Sequence, residues 1–180
     1  MSRGDLVEML RSSGALQFGD FTLASGKKSP YYVDIKKAIT RPEILRAIAR
    51  GIALIAPDAD RIAGVELGAV PIAAAVAMET GKPYLMVRKE RKEHGTGKDF
   101  EGELKEGDRV LFVEDVVTTG GTLSRAIERV RGAGADVSEV VAVVDREEGG
   151  RDALASIGVR LRALLTAGEL LSASKSSTLP

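Results

Sequence analysis

The chain has 180 residues, of which 44% are hydrophobic, so it can bury one substantial core and we expect a single domain. Its 26 lysine and arginine residues balance 26 aspartate and glutamate residues, which argues against nucleic-acid partners and against attraction to a membrane surface. The absence of cysteine excludes disulfides and favours a cytoplasmic protein, the single histidine excludes a His-rich metal cluster, and no apolar run is long enough to span a membrane.

The first forty residues predict one helix followed by short extended segments. Leu6, Met9 and Leu10 share one side of a helix predicted over Asp5–Ser13, which Gly14 ends. Extended segments are then predicted at Leu16–Phe18, Phe21–Leu23 and Tyr31–Ile35.

From residue 41 onward, helical segments alternate with apolar, β-branched ones. Helices are predicted at Arg41–Ala56, Pro71–Glu79, Thr122–Arg131 and Arg151–Ser156, and strands at Arg61–Val65, Tyr84–Val87, Val110–Val113, Val137–Val144 and Val159–Leu164. This alternation predicts an α/β fold with a central, mainly parallel sheet flanked by helices on both faces. The small, polar end of the chain predicts a disordered tail over residues 172–180, outside a single domain of residues 1–171.

The stretch Val110–Thr122 is the most informative part of the chain. A buried strand delivers two adjacent carboxylates, Glu114 and Asp115, and a threonine- and glycine-rich turn, Thr118–Thr122, leads into the next helix. Backbone N–H groups at such a helix N-terminus can bind a phosphate, and ionised carboxylates can accept hydrogen bonds from sugar hydroxyls. These residues therefore predict a phosphoribosyl site.

A simpler explanation of this stretch is a strand that ends in two solvated acids, with Thr122 as an ordinary N-cap. The composition of the loop argues for function, because glycine permits close approach of a phosphate and the helix dipole is positive there. The other common phosphate signatures, G-x-x-x-x-G-K-[ST] and G-x-G-x-x-G after a strand, do not occur in the sequence.

A second segment, Arg88–Gly97, fits no regular element and predicts a long, charged loop between two strands. Charge runs of this kind are most often solvated surface, with acids and bases pairing along one helix face. A diphosphate leaving group instead calls for several cations that can close over it. Arg88 offers bidentate contacts, Lys89 and Lys92 offer point charges, and His94 offers a donor near neutral pH.

The segment V-E-D-V-V-T-T-G-G-T resembles the motif with which type I phosphoribosyltransferases bind 5-phosphoribosyl 1-diphosphate (PRPP). Three further segments resemble orotate phosphoribosyltransferase in particular: R-K-E-R-K-E-H-G at 88–95, the stretch 18–32 that ends in S-G-K-K-S-P-Y-Y, and V-D-R at 144–146. The matches run in order from about residue 16 to residue 146. They imply the type I phosphoribosyltransferase fold, with a small N-terminal hood over about residues 1–40 and a core over residues 41–165.

The resemblance also implies roles for individual residues. PRPP would be bound by Arg88, Lys89, Lys92, His94, Glu114, Asp115, Val116, Val117, Thr118, Thr119, Gly120, Gly121 and Thr122, of which Asp115, Glu114, Lys92 and His94 would be catalytic. Orotate would be bound by Thr118, by Arg146 through its carboxylate and by Tyr32 through stacking, although Arg146 could be a surface ion pair and Tyr32 a core aromatic. Lys89 would reach the site of the neighbouring subunit, which requires a homodimer.

The implied reaction is transfer of the 5-phosphoribosyl group from PRPP to orotate, which gives orotidine 5′-phosphate and diphosphate in pyrimidine biosynthesis. Mg²⁺ would be the cofactor, held mainly by PRPP and water with no direct protein ligand expected. Two alternatives remain open. The chain could be a phosphoribosyltransferase for a purine base, or a non-catalytic regulator that senses PRPP or nucleotides on the same fold.

The sequence departs from the family pattern at three positions. Bacterial members often carry tyrosine and lysine where Leu67 and Gly68 stand, and a lysine where Ala24 stands. Without those two lysines, we expect diphosphate and orotate to depend more on backbone groups, on Mg²⁺ and on the Arg88–Gly97 loop.

Overall fold

The computed structural model describes residues 2–22, 26, 28–56, 58–90 and 99–176, with side chains described up to residue 173. Within these ranges the helices are α1 (Arg3–Ser12), α2 (Ile35–Ala38), α3 (Pro42–Ile55), α4 (Ala69–Thr80), α5 (Gly121–Gly132), α6 (Gly150–Ser156) and α7 (Ala167–Ser176). The strands are β1 (Leu16–Thr22), β2 (Lys28–Val33), β3 (Arg61–Val65), β4 (Tyr84–Val87), β5 (Phe100–Glu101), β6 (Val110–Val117), β7 (Glu139–Asp145) and β8 (Arg160–Thr166).

A six-stranded sheet in the order β5-β4-β3-β6-β7-β8 forms the centre of the molecule. All neighbouring pairs are parallel except the edge strand β5, which pairs with β4 in the antiparallel direction. All five residues of β3 are buried, as expected for a parallel strand that is covered on both faces. The predicted α/β class with a mainly parallel sheet is confirmed.

Helices cover the two faces of this sheet and form two apolar clusters. On one face, α1, α3, α4 and α7 contribute buried side chains such as Ile48, Ile72 and Leu170. On the other face, Ile127 of α5 and Leu154 of α6 pack against the sheet. Among the described helices, none is long and apolar enough to cross a membrane.

Strands β1 and β2 form a separate antiparallel pair at the N-terminal side of the chain. The pairing register shifts between Phe18 and Phe21, at the break between the two extended segments that the sequence predicts. Along β2 the residues alternate between exposed and buried, so Tyr31 faces the core and Tyr32 faces outward. The short helix α2 follows directly, and the Asp34 carboxylate caps it by accepting a hydrogen bond from the Lys37 N–H at 3.2 Å.

Most predicted elements differ from the observed ones by a few residues at their ends, and the larger differences concern β6 and the end of the chain. Strand β6 continues to Val117 instead of ending at Val113, because its pairing with β7 extends that far. The end of the chain was predicted to be a disordered tail, yet α7 runs to Ser176. Thr166 and Glu169 cap its start through reciprocal hydrogen bonds, and Leu170 is fully buried. Residues 177–180 lie outside the described part of the chain.

Candidate active site

The topological switch point of the sheet lies between the neighbouring strands β3 and β6, whose connections lead in opposite directions along the sheet. Strand β3 leads through α4 to β4 on one side, and β6 leads through α5 to β7 on the other. The two connections diverge and leave a crevice between them, which is where open parallel sheets bind ligands. The predicted phosphoribosyl motif lies at this crevice.

A cleft of about 520 Å³ occupies this position. It is lined by Lys36, Val65, Glu66, Leu67, Gly68, Lys89, Glu114, Asp115, Val116, Val117, Thr118, Thr119, Gly120, Gly121, Thr122 and Leu123. The structure therefore brings together the whole predicted segment from Glu114 to Thr122, and it adds Lys89 from the start of the charged loop.

The two acids of β6 are held in different ways. The Asp115 carboxylate accepts a hydrogen bond from the Val116 N–H at Oδ1, at 2.8 Å, and its Oδ2 lies 3.7 Å from Nζ of Lys36. The Glu114 carboxylate accepts from the Asp115 N–H at 3.0 Å. Burial raises the pKa of Glu114 well above its usual range, and the neighbouring Asp115 adds to the shift. The Glu114 carboxyl group therefore ionises less readily than a solvated one.

The loop Thr118–Gly120 places the start of α5 against the cleft. Gly120 has φ = 78°, a left-handed conformation that favours glycine, and no side chain caps the first turn of α5. The N–H groups of this turn therefore remain available to an anion, and the positive end of the helix dipole supports the same charge preference. Gly150 of α6 supports the loop from behind, since a Cβ there would contact Val117 and the carbonyl oxygen of Thr118.

The turn between β3 and α4 forms the opposite wall of the cleft. The peptide bond between Glu66 and Leu67 is cis, and Gly68 lies directly against the Asp115 carboxylate. A Cβ at position 68 would occupy the space that this carboxylate uses. The absence of a side chain at Gly68 is thus a packing requirement of this cleft.

The start of the charged loop is fixed to the same turn. Glu66 lies 3.6 Å from the Arg88 guanidinium and accepts a hydrogen bond from the Lys89 N–H at 3.4 Å. Arg88 also pairs with Glu101 at 3.0 Å, and its carbonyl oxygen accepts a hydrogen bond from Arg129. Lys92 and His94 lie outside the described residues, as does Ala24.

The predicted orotate-side residues are only partly brought together. Thr118 lines the cleft, and the Arg146 N–H donates to the carbonyl oxygen of Val117 at 2.9 Å, so Arg146 follows the neighbouring strand at the same edge of the sheet. Its guanidinium lies 4.7 Å from the centre of the Tyr31 ring and 3.1 Å from Glu148. Tyr32 does not line the cleft; it is 43% exposed and packs against Phe21.

Two charged lining residues, Lys36 and Glu66, have no role in the site predicted from the sequence. Lys36 reaches the cleft from α2, which comes from the N-terminal part of the chain, and Glu66 reaches it from the β3–α4 turn. Both lie far from the Val110–Thr122 motif in sequence, so only the tertiary arrangement places them beside it.

The ligand atoms in the cleft suit a hard cation that keeps several of its water ligands. The acids at the cleft offer only oxygen ligands, which Mg²⁺ prefers. Among the described residues, no group of three or more histidine, cysteine, aspartate or glutamate side chains could hold a metal ion. A Mg²⁺ ion here would take most of its ligands from substrate and water.

Comparison with known proteins gives consistent matches over nearly the whole chain. A model of the phosphoribosyl transferase domain matches residues 36–158. The orotate phosphoribosyltransferase of Pyrococcus furiosus is 51% identical over 174 residues, covering 94% of this chain and 96% of the relative.

Solved structures give the same picture. The crystal structure of orotate phosphoribosyltransferase from Aeropyrum pernix has a TM-score of 0.86 at 34% identity, covering 95% of this chain and 98% of that one. The Mycobacterium tuberculosis orotate phosphoribosyltransferase in complex with PRPP has a TM-score of 0.77 at 32% identity, covering 93% and 98%.

Proposed function

Because the chain belongs to the phosphoribosyl transferase family and, within it, to the orotate phosphoribosyltransferases, we propose that it transfers the 5-phosphoribosyl group of PRPP to orotate. The products are orotidine 5′-phosphate and diphosphate, which places the chain in pyrimidine biosynthesis. The observation that carries this proposal is the similarity, over almost the full length, to relatives of that name. The cleft at the ends of β3 and β6 supports it with chemistry suited to PRPP.

The 5′-phosphate of PRPP binds at the loop Thr118–Thr122. Its oxygens accept hydrogen bonds from the free N–H groups at the start of α5 and from threonine hydroxyls. The ribose then extends from the loop toward Glu114 and Asp115, which lie on the same strand just before it. The acids and the phosphate loop are therefore adjacent along the chain, as the ribose hydroxyls and the 5′-phosphate are adjacent along PRPP.

The two acids stabilise the ribose as it reacts. When the bond from C1 to diphosphate breaks and the bond from C1 to N1 of orotate forms, the ring gains positive, oxocarbenium-like charge. Asp115, fixed by the Val116 N–H, offers an oriented negative charge nearby. Glu114, whose pKa is raised by burial, can donate a hydrogen bond from its protonated form or accept one when ionised.

The diphosphate end lies against the turn Glu66–Gly68. Arg88 neutralises Glu66 there, and Lys89 lines the cleft mouth. Bound Mg²⁺ would supply charge neutralisation of the diphosphate oxygens, with Asp115 and Glu114 as the protein groups able to hold it or its water. The roles of Lys92 and His94 on the diphosphate stay predictions.

Orotate is proposed to bind beside Thr118 and Arg146. The Arg146 side chain is 9% exposed, and its guanidinium already pairs with one carboxylate, that of Glu148. A bidentate contact with the orotate carboxylate suits its planar geometry. The stacking role predicted for Tyr32 has no support from its outward position on β2.

A homodimer, the contribution of Lys89 to the partner's site and a cytoplasmic location also stay predictions. So does the division of the chain into a hood and a core. Lys89 is exposed at the mouth of the cleft, a position from which a side chain can reach a neighbouring subunit.

The reaction can be tested by following orotate absorbance after PRPP and Mg²⁺ are added to the purified protein. We expect absorbance to fall with orotate as acceptor and no product to form with hypoxanthine or adenine in parallel assays. Product from hypoxanthine or adenine would instead support a phosphoribosyltransferase for a purine base. Binding of PRPP with no transfer to any base would support a non-catalytic sensor.

A further inference from the structure

Lys36 is a basic residue of the cleft to which no motif assigns a role. It lies on α2, and its Nζ is 3.7 Å from Oδ2 of Asp115. The Lys36 side chain is 61% exposed, whereas that of Asp115 is 14% exposed. The ammonium group therefore lies at the solvent side of the acid, within the lining of the cleft.

The stem of Lys36 and the Asp115 carboxylate together fill the space beside Gly68. A Cβ at position 68 would lie 3.1 Å from Cγ of Lys36 and would also contact the Asp115 carboxylate. The turn therefore cannot carry a basic side chain of its own at this position unless both neighbours move. A cation for this wall of the cleft has to come from another element, and Lys36 of α2 is placed there.

The charge of the cleft lining favours such a cation. The described lining residues include three carboxylates, Glu66, Glu114 and Asp115, and two ammonium groups, Lys36 and Lys89. PRPP carries several negative charges, so an acidic lining alone would repel it. Lys36 is one of the two ammonium groups that the described lining offers to balance these carboxylates.

We propose that Lys36 is a substrate-binding residue that holds the diphosphate end of PRPP. In the free protein its ammonium group pairs with Asp115. An ammonium group has three N–H donors, so it can keep that contact and also donate to diphosphate oxygens. The diphosphate end is favoured over the 5′-phosphate because Lys36 lies beside Gly68 and Asp115, whereas the 5′-phosphate loop lies further along β6. The proposal rests on the proposed function, since it takes PRPP as the ligand.

Calorimetric titration of Lys36→Met with three ligands tests this role. Methionine keeps the apolar stem beside Gly68 and removes only the charge. With Mg²⁺ present, we expect affinity for PRPP and for inorganic diphosphate to fall by about 10- to 100-fold, as for loss of a charge-assisted hydrogen bond. Affinity for ribose 5-phosphate, which has no diphosphate, should change by less than about twofold.

The neighbouring lysine provides a matched control. Lys37 lies on the same helix, but its Nζ donates to the carbonyl oxygen of Gly14, away from the cleft. Lys37→Met should bind all three ligands as the wild type does, and Lys36→Arg should retain most of the affinity for diphosphate. Unchanged melting temperatures would show that the variants are folded.

Two results would overturn the proposal. If Lys36→Met loses as much affinity for ribose 5-phosphate as for diphosphate, Lys36 acts through Asp115 and not by contact with diphosphate. If its affinity for diphosphate is unchanged, Lys36 makes no contact with diphosphate. Calorimetry needs no turnover. A wild-type protein that binds PRPP but leaves orotate unchanged would therefore contradict the proposed function separately from the Lys36 result.

Discussion

Glu114 and Asp115 are adjacent in sequence, yet the structure gives them different tasks. Asp115 is oriented by a backbone N–H and faces Lys36, whereas Glu114 is held among protein groups that oppose its ionisation. A carboxyl group whose pKa is raised by folding is a cost to stability at neutral pH, because ionisation is harder in the folded protein than in the unfolded chain. Retaining Glu114 under these conditions is consistent with a role in function.

Replacing Glu114 should therefore separate stability from activity. Below the usual value of 4.5, the carboxyl group is protonated in both states, so Glu114→Gln and the wild type should have similar free energies of unfolding. As pH rises from 4.5 through the raised pKa, the wild type loses stability relative to the variant, because only the wild type must ionise this buried carboxyl group or keep its proton. Denaturant unfolding at pH 4 and pH 8 should show a more stable variant only at pH 8, while orotate turnover falls by about 10-fold or more.

The exposed Glu128 of α5 offers a control for this change. Glu128→Gln should have nearly the same free energy of unfolding as the wild type at both pH 4 and pH 8, and nearly the same orotate turnover. A Glu114→Gln variant that is no more stable than the wild type at pH 8 would contradict the account of its pKa.

At the scale of residues, the contiguous part of the site could be predicted and the rest could not. Glu114 to Thr122 form one strand, turn and helix start, so their sequence carries the local geometry. Lys36 joins them only because α2 packs near β6, and no local pattern distinguishes it from Lys37. Tyr31 and Tyr32 were indistinguishable in the sequence because the pairing register of β2 decides which of them faces inward.

The phosphate loop depends on two other elements that hold its backbone. It follows β6 and is supported by the start of α6, where Gly150 contacts Val117 and Thr118 so closely that no Cβ fits. Gly120 of the loop in turn approaches the carbonyl oxygen of Gly150, which would lie 3.2 Å from a Cβ at position 120. The site therefore requires small residues on both sides of this contact.

Gly150→Ala should push the loop toward the cleft and weaken phosphate binding. We expect affinity for ribose 5-phosphate to fall by about 10-fold and the free energy of unfolding to fall by about 1–3 kcal/mol, as for other overpacked sites. Calorimetry and denaturant unfolding measure both effects. Gly132→Ala is the matched control, because a Cβ at the end of α5 has nothing within 4 Å. If Gly150→Ala binds ribose 5-phosphate like the wild type, the loop does not depend on this contact.

The longer elements were predictable because their patterns are strong. The i, i+4 spacing of Ile44, Ile48 and Ile52 predicts α3, and the buried β-branched runs predict the parallel strands. The short elements α2 and β5 carry too few residues for a periodic pattern. The start of α7 did carry a signal, the capping pair Thr166 and Glu169, which the small and polar composition of the tail obscured.

At the scale of the whole molecule, the position of the site follows from strand order. The chain connections diverge between β3 and β6, so residues from α2, the β3–α4 turn and the phosphate loop meet at one crevice. The base of the charged loop joins them through Arg88 and Glu66. Lys89 is exposed and lines the same crevice.

Mixing two inactive variants tests whether the site is shared between subunits. Lys89→Ala leaves a complete acid pair, and Asp115→Asn leaves an intact Lys89. Hybrid dimers formed by unfolding and refolding the two together should contain one site with both residues, so activity should exceed that of either variant alone. Size-exclusion chromatography checks that dimers have formed. Activity that stays at the level of the parents in confirmed hybrids would show that Lys89 acts within its own chain.

The most direct measurement is the product balance of the reaction, followed by phosphorus NMR for the wild type and for Asp115→Asn. The wild type should convert PRPP and orotate, in the presence of Mg²⁺, into equal amounts of orotidine 5′-phosphate and diphosphate. Asp115→Asn should form both at least about 100-fold more slowly, while its melting temperature stays near wild type. Diphosphate release without orotidine 5′-phosphate, or equal rates in the two proteins, would contradict phosphoribosyl transfer to orotate at this cleft.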